Sequence, residues 1–376
     1  MSEKAIAAGH VKEPLLRIAK RDSVSSRRDY AVRAAALLGA LLAGAILLLA
    51  LGHNPLHVYR DMVLGALGTQ SALRETTRIA IPLLITGLGI SLAFKMRFWN
   101  IGGEGQIIAG AMAASYFALF QYEKFSGVSL LIVMCIAAMV AGGLFGLIPA
   151  LFKSKWNTNE TLFTLMLNYI ALEAVRYVQA GPWRDPKQRG FPKIAMFVDH
   201  ARLPKLLGVH IGWVFAVVLV VLAYLYLSKS KHGYEISVVG ESIPTARYAG
   251  MNVSRVFLRT MFISGALCGL TGYLTVSGAN YTLSESVTGG VGFTAITVAW
   301  LAKLNPIAMV LVSLFIALLQ KGANAIQTTF KIPLSAAEVL TGLILFFMLG
   351  CEFFLNYRLI FRRRNVRTGK KGASND

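Results

Sequence analysis

One short stretch of this sequence combines an aromatic face, amides and a carboxylate with three glycines. It reads KMRFWNIGGEGQIIAG, residues 95–110, and its polar and aromatic members are Trp99, Asn100, Glu104 and Gln106. The runs on either side, IAIPLLITGLGISLAF and IIAGAMAASYFALF, are apolar. Polar groups of this kind can orient a small polar solute, and a carboxylate inside a membrane is functional by default.

The composition indicates that these apolar runs cross a membrane. Of 376 residues, 55% are hydrophobic and only 15% are charged, whereas a soluble domain carries about 25% charged residues. The chain has 38 basic and 18 acidic residues, a formal net charge of +20. The basic residues lie between apolar runs, which is typical of the cytoplasmic flanks of membrane helices and argues against nucleic acid as a partner.

Ten apolar segments are long enough, or nearly so, to span a bilayer as helices. They are 34–51, 79–94, 101–120, 128–151, 161–180, 211–227, 257–276, 289–302, 306–320 and 334–355. The polar leader before residue 34 is too long for a signal peptide, so we interpret the first segment as a retained span. The sequence therefore predicts an all-α integral membrane protein with about ten transmembrane helices.

The distribution of basic residues predicts the orientation of these spans. With the N-terminus inside, 25 of the 38 basic residues fall on the cytoplasmic side, as expected from the positive-inside rule. We divide the chain into a basic cytoplasmic segment (1–33), a transmembrane domain (34–355) and a basic cytoplasmic tail (356–376). The domain includes a long cytoplasmic loop, 228–256, and an outer loop, 181–210, which carries six basic residues and could face an acidic partner.

Two glycine-rich segments indicate a weak internal repeat. GGEGQIIAGAMAA (102–114) resembles GGVGFTAITVAWLA (289–302), and five predicted spans separate them, so the two halves would be inverted. Inverted repeats with interrupted helices are typical of transporters, although a match this short can arise by chance. We expect short or broken helices near 100–106 and 286–293. The predicted breaks involve Gly102, Gly103, Gly105, Gly289, Gly290 and Gly292.

No other motif predicts catalysis, a metal or a bound cofactor. The chain has no G-x-x-x-x-G-K-[ST], so any ATP must be used by a partner subunit. Six histidines are scattered without metal-ligand spacing, and three cysteines lie in apolar runs. An ion-driven secondary transporter remains an alternative, but Glu173 and Arg176 are three apart and can simply neutralise each other. A channel is a further alternative, against which the long cytoplasmic loop argues.

The loop 228–256 predicts a docking element. Pro244 suits the first turn of a short helix, and Gly250 suits the position just after its end. A short helix on a cytoplasmic loop can dock a soluble partner, although an ordinary interfacial helix would show the same signals.

Four segments in order resemble one protein family. They are FWNIGGEGQ, NTNETLFTLMLNYIA (157–171), VGESIPTARYAGMNVSR (239–255) and GGVGFTAITVAWLAKLNPIAM (289–309). They resemble the permeases of the nucleoside and simple-sugar branch of ABC importers, roughly over residues 80–350. The departures from the family pattern are Trp99, Gly103, the run Ser242-Ile243-Pro244, Trp300 and Lys303.

The resemblance implies a permease subunit in the bacterial inner membrane that moves nucleosides or related sugars. Its partners would be an ATP-binding subunit, a second permease chain, an extracytoplasmic substrate-binding protein and membrane lipid. The residues that would couple to the ATPase are Glu241, Thr245, Arg247, Tyr248 and Gly250. The residues that would line or shape the translocation path are Asn100, Glu104, Gln106, Asn168 and Phe293. In the alternative, residues 95–100 form a cytoplasmic turn and Glu104 pairs with Lys95 or Arg97.

Overall fold

The chain folds almost entirely into helices. A computed structural model describes residues 16–20, 26–187 and 190–361. The helices are α1 Ser26–Ala50, α2 Pro55–Leu67, α3 Gln70–Lys95, α4 Gly103–Phe120, α5 Gly127–Trp156, α6 Glu160–Ala180, α7 Gly212–Lys229, α8 Lys231–Glu241, α9 Ile243–Tyr248, α10 Val253–Leu274, α11 Val291–Leu301, α12 Pro306–Phe330 and α13 Leu334–Asn356. The π-helix Thr275–Asn280 continues α10, and the 3₁₀ turns are Tyr122–Lys124 and Asp199–Ala201. The strands are β1 Leu16–Lys20, β2 Lys205–Leu206, β3 Val209–His210 and β4 Tyr357–Phe361.

Seven helices in the described residues are long and apolar enough to cross a membrane: α1, α3, α5, α7, α10, α12 and α13. Each of the ten predicted segments lies on a helix. However, α11 has only 11 residues, which is too short for this group of seven. Helices α4 and α6 are not members of the group either. The sequence did not predict α2, which begins after the N-cap Asn54 with Pro55 at its first position.

The chain divides into two compact units, one formed by residues 1–46 and 343–376 and the other by residues 47–342. In the first unit, β1 pairs antiparallel with β4, and Arg33 forms an ion pair with Glu352 at 2.9 Å. Apart from this pair and the short pair β2–β3, the elements of the described residues are helical, in keeping with the predicted all-α class. The remaining residues of the predicted basic ends, 1–15, 21–25 and 362–376, lie outside the described residues.

In the second unit, α3 and α10 form the centre. Of their apolar stretches, 78% and 67% are buried, against 44% or less in α5, α7 and α12. Glycines allow α10 to approach α5 closely: a Cβ at Gly269 would lie 2.1 Å from the Ala138 carbonyl oxygen, and one at Gly142 would lie 2.4 Å from that of Gly265. Small residues of this kind let helix backbones pack together in membranes.

We predict that Gly269→Ala destabilises the protein. The added methyl group would meet the Ala138 carbonyl, and overpacking of this kind costs about 1–3 kcal/mol. Gly342→Ala is the control, because an added Cβ there meets no atom within 4 Å. Thermal unfolding of the detergent-solubilised protein measures both. Equal melting temperatures for the two variants would contradict the close contact of α5 and α10.

Candidate functional site at the helix break

The chain leaves the helical conformation between α3 and α4. Arg97 takes a left-handed conformation with φ 56°. Its amide donates to the Phe94 carbonyl at 2.9 Å, and the Phe98 amide donates to the Ala93 carbonyl at 3.1 Å. This is the Schellman arrangement that commonly ends a helix. We call residues 96–102 the break.

A buried pair of amides holds the break. Asn100 and Gln106, 0% and 1% exposed, donate to each other's side-chain oxygens at 3.2 and 3.1 Å. The Asn100 amide also donates to the Ser264 hydroxyl of α10 at 3.3 Å, and its oxygen accepts from the Gly102 amide at 3.0 Å. The two predicted residues therefore lie together, with their hydrogen bonds made inside the chain.

Two residues of α6 satisfy the backbone of the break. Asn168 accepts from the Gly105 amide at 2.8 Å and donates to the Ile101 carbonyl at 2.9 Å. One turn earlier, the Thr164 hydroxyl accepts from the Ile101 amide at 3.2 Å. In an apolar environment, irregular backbone persists only where protein or water satisfies it. The sequence pointed to Asn168 but missed Thr164, which lies in the same quoted segment.

Glu104 joins the first turn of α4 to the first turn of α11. Its carboxylate, in a residue that is 9% exposed, accepts from the Gly292 amide at 2.7 Å. Free amides at a helix N-terminus carry partial positive charge, which stabilises an anion there. Within the part of the chain that the structure describes, Glu104 forms no ion pair with Lys95 or Arg97, so the structure does not contain that alternative pairing.

The predicted positions of the glycines in the breaks need correction. Gly103 and Gly105 lie in the first turn of α4, and Gly292 lies in the first turn of α11. Gly102 is the N-cap of α4, while Gly289 and Gly290 have positive φ before α11. Gly292 is required by close approach, because its Cβ would lie 2.4 Å from the Glu104 amide nitrogen.

An aromatic group lies at the far end of α11. The rings of Trp99 and Trp300 stack with centroids 5.6 Å apart and an interplanar angle of 24°. The centroid of the Phe94 ring lies 5.4 Å from that of Trp99 and 5.8 Å from that of Trp300. The two tryptophans, both departures from the family pattern, are 44% and 42% exposed. Phe293 of α11 is 45% exposed, and among the residues that the structure describes its ring does not stack on this group.

The short helix predicted in the loop 228–256 is present as α9. Ser242 caps its start by accepting from the Thr245 amide at 3.3 Å, and Pro244 lies in its first turn. Its end is a Schellman motif, in which the Gly250 amide donates to the Arg247 carbonyl and the Met251 amide to the Ala246 carbonyl, both at 3.0 Å. Gly250 has φ 76°, as predicted for a residue just after the helix.

Helix α9 presents an exposed surface on a buried anchor. Ala246 is fully buried, whereas Tyr248 is 96% exposed. Glu241, Thr245, Arg247 and Gly250 are also exposed. The buried residue Ala246, which anchors α9, belongs to the same core as Met96 and Phe98 of the break. This surface and the break are therefore packed on one cluster.

An ion pair and a close backbone contact fix α8 beneath this surface. Glu235 of α8 accepts from Arg259 of α10 at 2.8 Å, and this hydrogen bond lowers the pKa of Glu235. A Cβ at Gly240 would lie 2.1 Å from the Lys95 carbonyl oxygen, so α8 approaches the end of α3 directly. A displacement of α8 would therefore act on the break.

Comparison with known proteins identifies the family. Residues 72–349 match the family described as "Branched-chain amino acid transport system / permease component". The chain belongs to this family of membrane permeases, which confirms the resemblance found in the sequence.

Relatives match the chain over most of their length. It is 33% identical to the glucose ABC transporter permease protein TsgB13 of Haloferax volcanii, covering 93% of this chain and 95% of that protein. It is 30% identical to the nucleoside ABC transporter permease protein NupB of Lactococcus lactis, covering 83% and 88%. It is 29% identical to the guanosine ABC transporter permease protein NupP of Bacillus subtilis, covering 90% and 96%. No solved structure matches the chain significantly.

We predict that Asn168→Ala destabilises the protein by about 2–4 kcal/mol. It leaves the Ile101 carbonyl and the Gly105 amide without their partners, and each buried unsatisfied group costs about 1–3 kcal/mol. The control is Asn324→Ala, an exposed asparagine within α12. Chemical or thermal unfolding measures the difference, and an equal effect of both substitutions would refute the structural role of Asn168.

Proposed function

We propose that the chain is the transmembrane permease subunit of an ATP-driven ABC importer that moves nucleosides or related simple sugars. The observation that carries the proposal is the exposed helix α9, anchored by Ala246 to the core that also holds the break. Such a surface can receive a soluble ATP-binding subunit and transmit its motion. The relatives named for guanosine, nucleoside and glucose transport support the solute class.

We place ten crossings in the inner membrane, with both termini in the cytoplasm and an inverted repeat. The asymmetry of basic residues supports this orientation. Contacts between α3 and α11 support the repeat. A Cβ at Gly87 would lie 3.4 Å from a Val298 methyl carbon, and the Phe94 ring lies beside that of Trp300. Near the start of α11, Val291 and Pro82 line the same cavity, so the contacts follow the same order along both helices and α3 and α11 run in the same direction. Helix α4 begins at the start of α11, where Glu104 meets Gly292.

We infer the partners from this proposed role. The ATP-binding subunit docks on α9 and uses the ATP, so this chain binds no cofactor. A second permease chain, different from this one, completes the path, and an extracytoplasmic protein delivers the solute.

The translocation path runs past the contact of α4 with α11. Glu104 and Phe293 lie on this crossing, and Asn100, Gln106 and Asn168 shape it by fixing the break. Movement of α9 changes the packing of Met96 and Phe98, which changes the position of the break. Because no tight binding by the permease is needed, the solute is released readily.

We expect Arg247→Glu to abolish solute uptake and solute-stimulated ATP hydrolysis, while the permease stays in the membrane. The substitution reverses an exposed charge on α9. Gly250→Pro should do the same, because proline cannot adopt φ 76° or donate to the Arg247 carbonyl. Lys124→Glu, a charge reversal on an exposed residue elsewhere, is the control. Normal uptake by both α9 variants would exclude this helix as the coupling element.

We expect Glu104→Gln to lower uptake per assembled complex with little loss of folded protein. The glutamine oxygen can still accept from the Gly292 amide, but the negative charge at the helix ends is removed. Uptake of radiolabelled nucleoside is divided by the amount of complex, with Glu338→Gln, an exposed position, as the control. If Glu104→Gln only reduces the amount of folded protein, the carboxylate serves structure alone.

A further inference from the structure

A polar cavity lies beside the start of α11, on the side of the break away from the tryptophans. It has a volume of about 270 Å³. Its walls come from α3, α12, the π-helix that follows α10, and the segment that leads into α11. Its polar lining residues are Glu75, Arg78, His210, Thr275, Asn280, Thr288 and Gln320.

Several lining groups have hydrogen-bonding capacity that the described chain does not use. Thr288 is 8% exposed, and its hydroxyl forms no hydrogen bond with the described residues. The Gln320 amide likewise has no partner in that part of the chain. His210, 4% exposed, accepts the Gly212 amide at Nδ1, which leaves a proton on Nε2 and no recorded acceptor for it. Thr288 and His210 are buried, whereas Gln320 is half-buried. Because buried polar groups are normally satisfied, the two buried side chains indicate a ligand.

The cavity carries no net charge. Glu75 and Arg78 face each other at 3.5 Å, and Arg78 also donates to the Ala279 carbonyl of the π-helix. Burial, together with the nearby Arg78, lowers the pKa of His210 to about 4, so its imidazole is neutral at physiological pH. A neutral solute therefore fits this cavity better than an anion or a cation.

The size of the cavity and its position in the fold define the ligand further. Drug-sized ligands occupy pockets of about 300–1,000 Å³, so this smaller cavity suits a single sugar ring. Short π-helical segments occur frequently at functional sites. Gly289 and Val291 line the cavity, and the next residue, Gly292, donates to Glu104.

We propose that this cavity binds the hydroxyl-rich ring of the transported solute, a ribose or a hexose, just before it reaches the contact of Glu104 with Gly292. The proposal rests on the function proposed above. Thr288 and Gln320 bond the ring hydroxyls, and His210 donates from Nε2. A ribose comes from a nucleoside and a hexose from a free sugar, so the test uses both solutes.

The test replaces the two unpaired side chains by apolar ones of similar size, in the double variant Thr288→Val with Gln320→Leu. The control is Thr328→Val with Gln121→Leu, two side chains that do not line the cavity. The complete importer, with its ATPase and binding protein, is placed in proteoliposomes. Uptake of labelled adenosine and of labelled glucose is measured per assembled complex, with the binding protein saturated.

We expect uptake of the transported solute to fall about tenfold in the double variant and to stay unchanged in the control, because two hydrogen bonds to the solute are lost. As a second measurement, Thr288→Cys should react with a polar thiol reagent, and the same solute should slow that reaction. Equal uptake by the double variant and the control overturns the cavity proposal alone. Failure of the unchanged complex to take up either solute overturns the proposed function and this proposal with it.

Discussion

The contact between the Glu104 carboxylate and the Gly292 amide is the interaction on which the arrangement of this permease depends. Two helices, α4 and α11, begin at the same point inside an apolar protein. Their first amides have no partners within their own helices, and their dipoles place positive charge together. One carboxylate in the first turn of α4 compensates both ends. This close approach requires a glycine at position 292, because a side chain there would meet the Glu104 backbone.

The same constraint explains why the break is so completely bonded. A carboxylate can reach α11 only if α4 begins in the middle of the protein, so the break lacks regular backbone pairing while Met96, Phe98 and Asn100 are buried. Asn100, Thr164 and Asn168 supply the missing partners, and Gln106 holds the Asn100 side chain in place. On its other side, the break packs through Met96 and Phe98 against the anchor of α9. The exposed helix α9 and the break thus meet in one cluster of buried residues.

The sequence predicted the features that depend on local signals. Pro244 and Gly250 bound α9, and the charge distribution of the chain identified a membrane protein. The repeated GG-x-G indicated two short or broken helices, and the structure places the first turns of α4 and α11 in contact. Glycines that serve close approach and glycines that serve a turn look alike in sequence, so Gly103 and Gly105 were assigned to a break although they are helical.

Features that depend on how helices pack could not be predicted. The role of Asn168 requires knowing that α6 passes beside Ile101, some 67 residues away in sequence. The stack of Trp99 on Trp300 joins two positions that seemed to be separate departures from the family. Helix α2 was missed because it is short and only partly apolar, although Asn54 and Pro55 are good start signals. The cavity at Thr288 combines residues from five segments of the chain.

The position of α11 against the break is tested most directly by a cross-link between them. Trp99→Cys and Trp300→Cys are introduced together into the complete chain, and a short bifunctional thiol reagent is added in membranes. Since the two rings lie 5.6 Å apart, mass spectrometry should find a cross-link between these positions within one chain, absent from either single variant. If the double variant forms no such link while each cysteine reacts with a monofunctional reagent, α11 does not lie against the break.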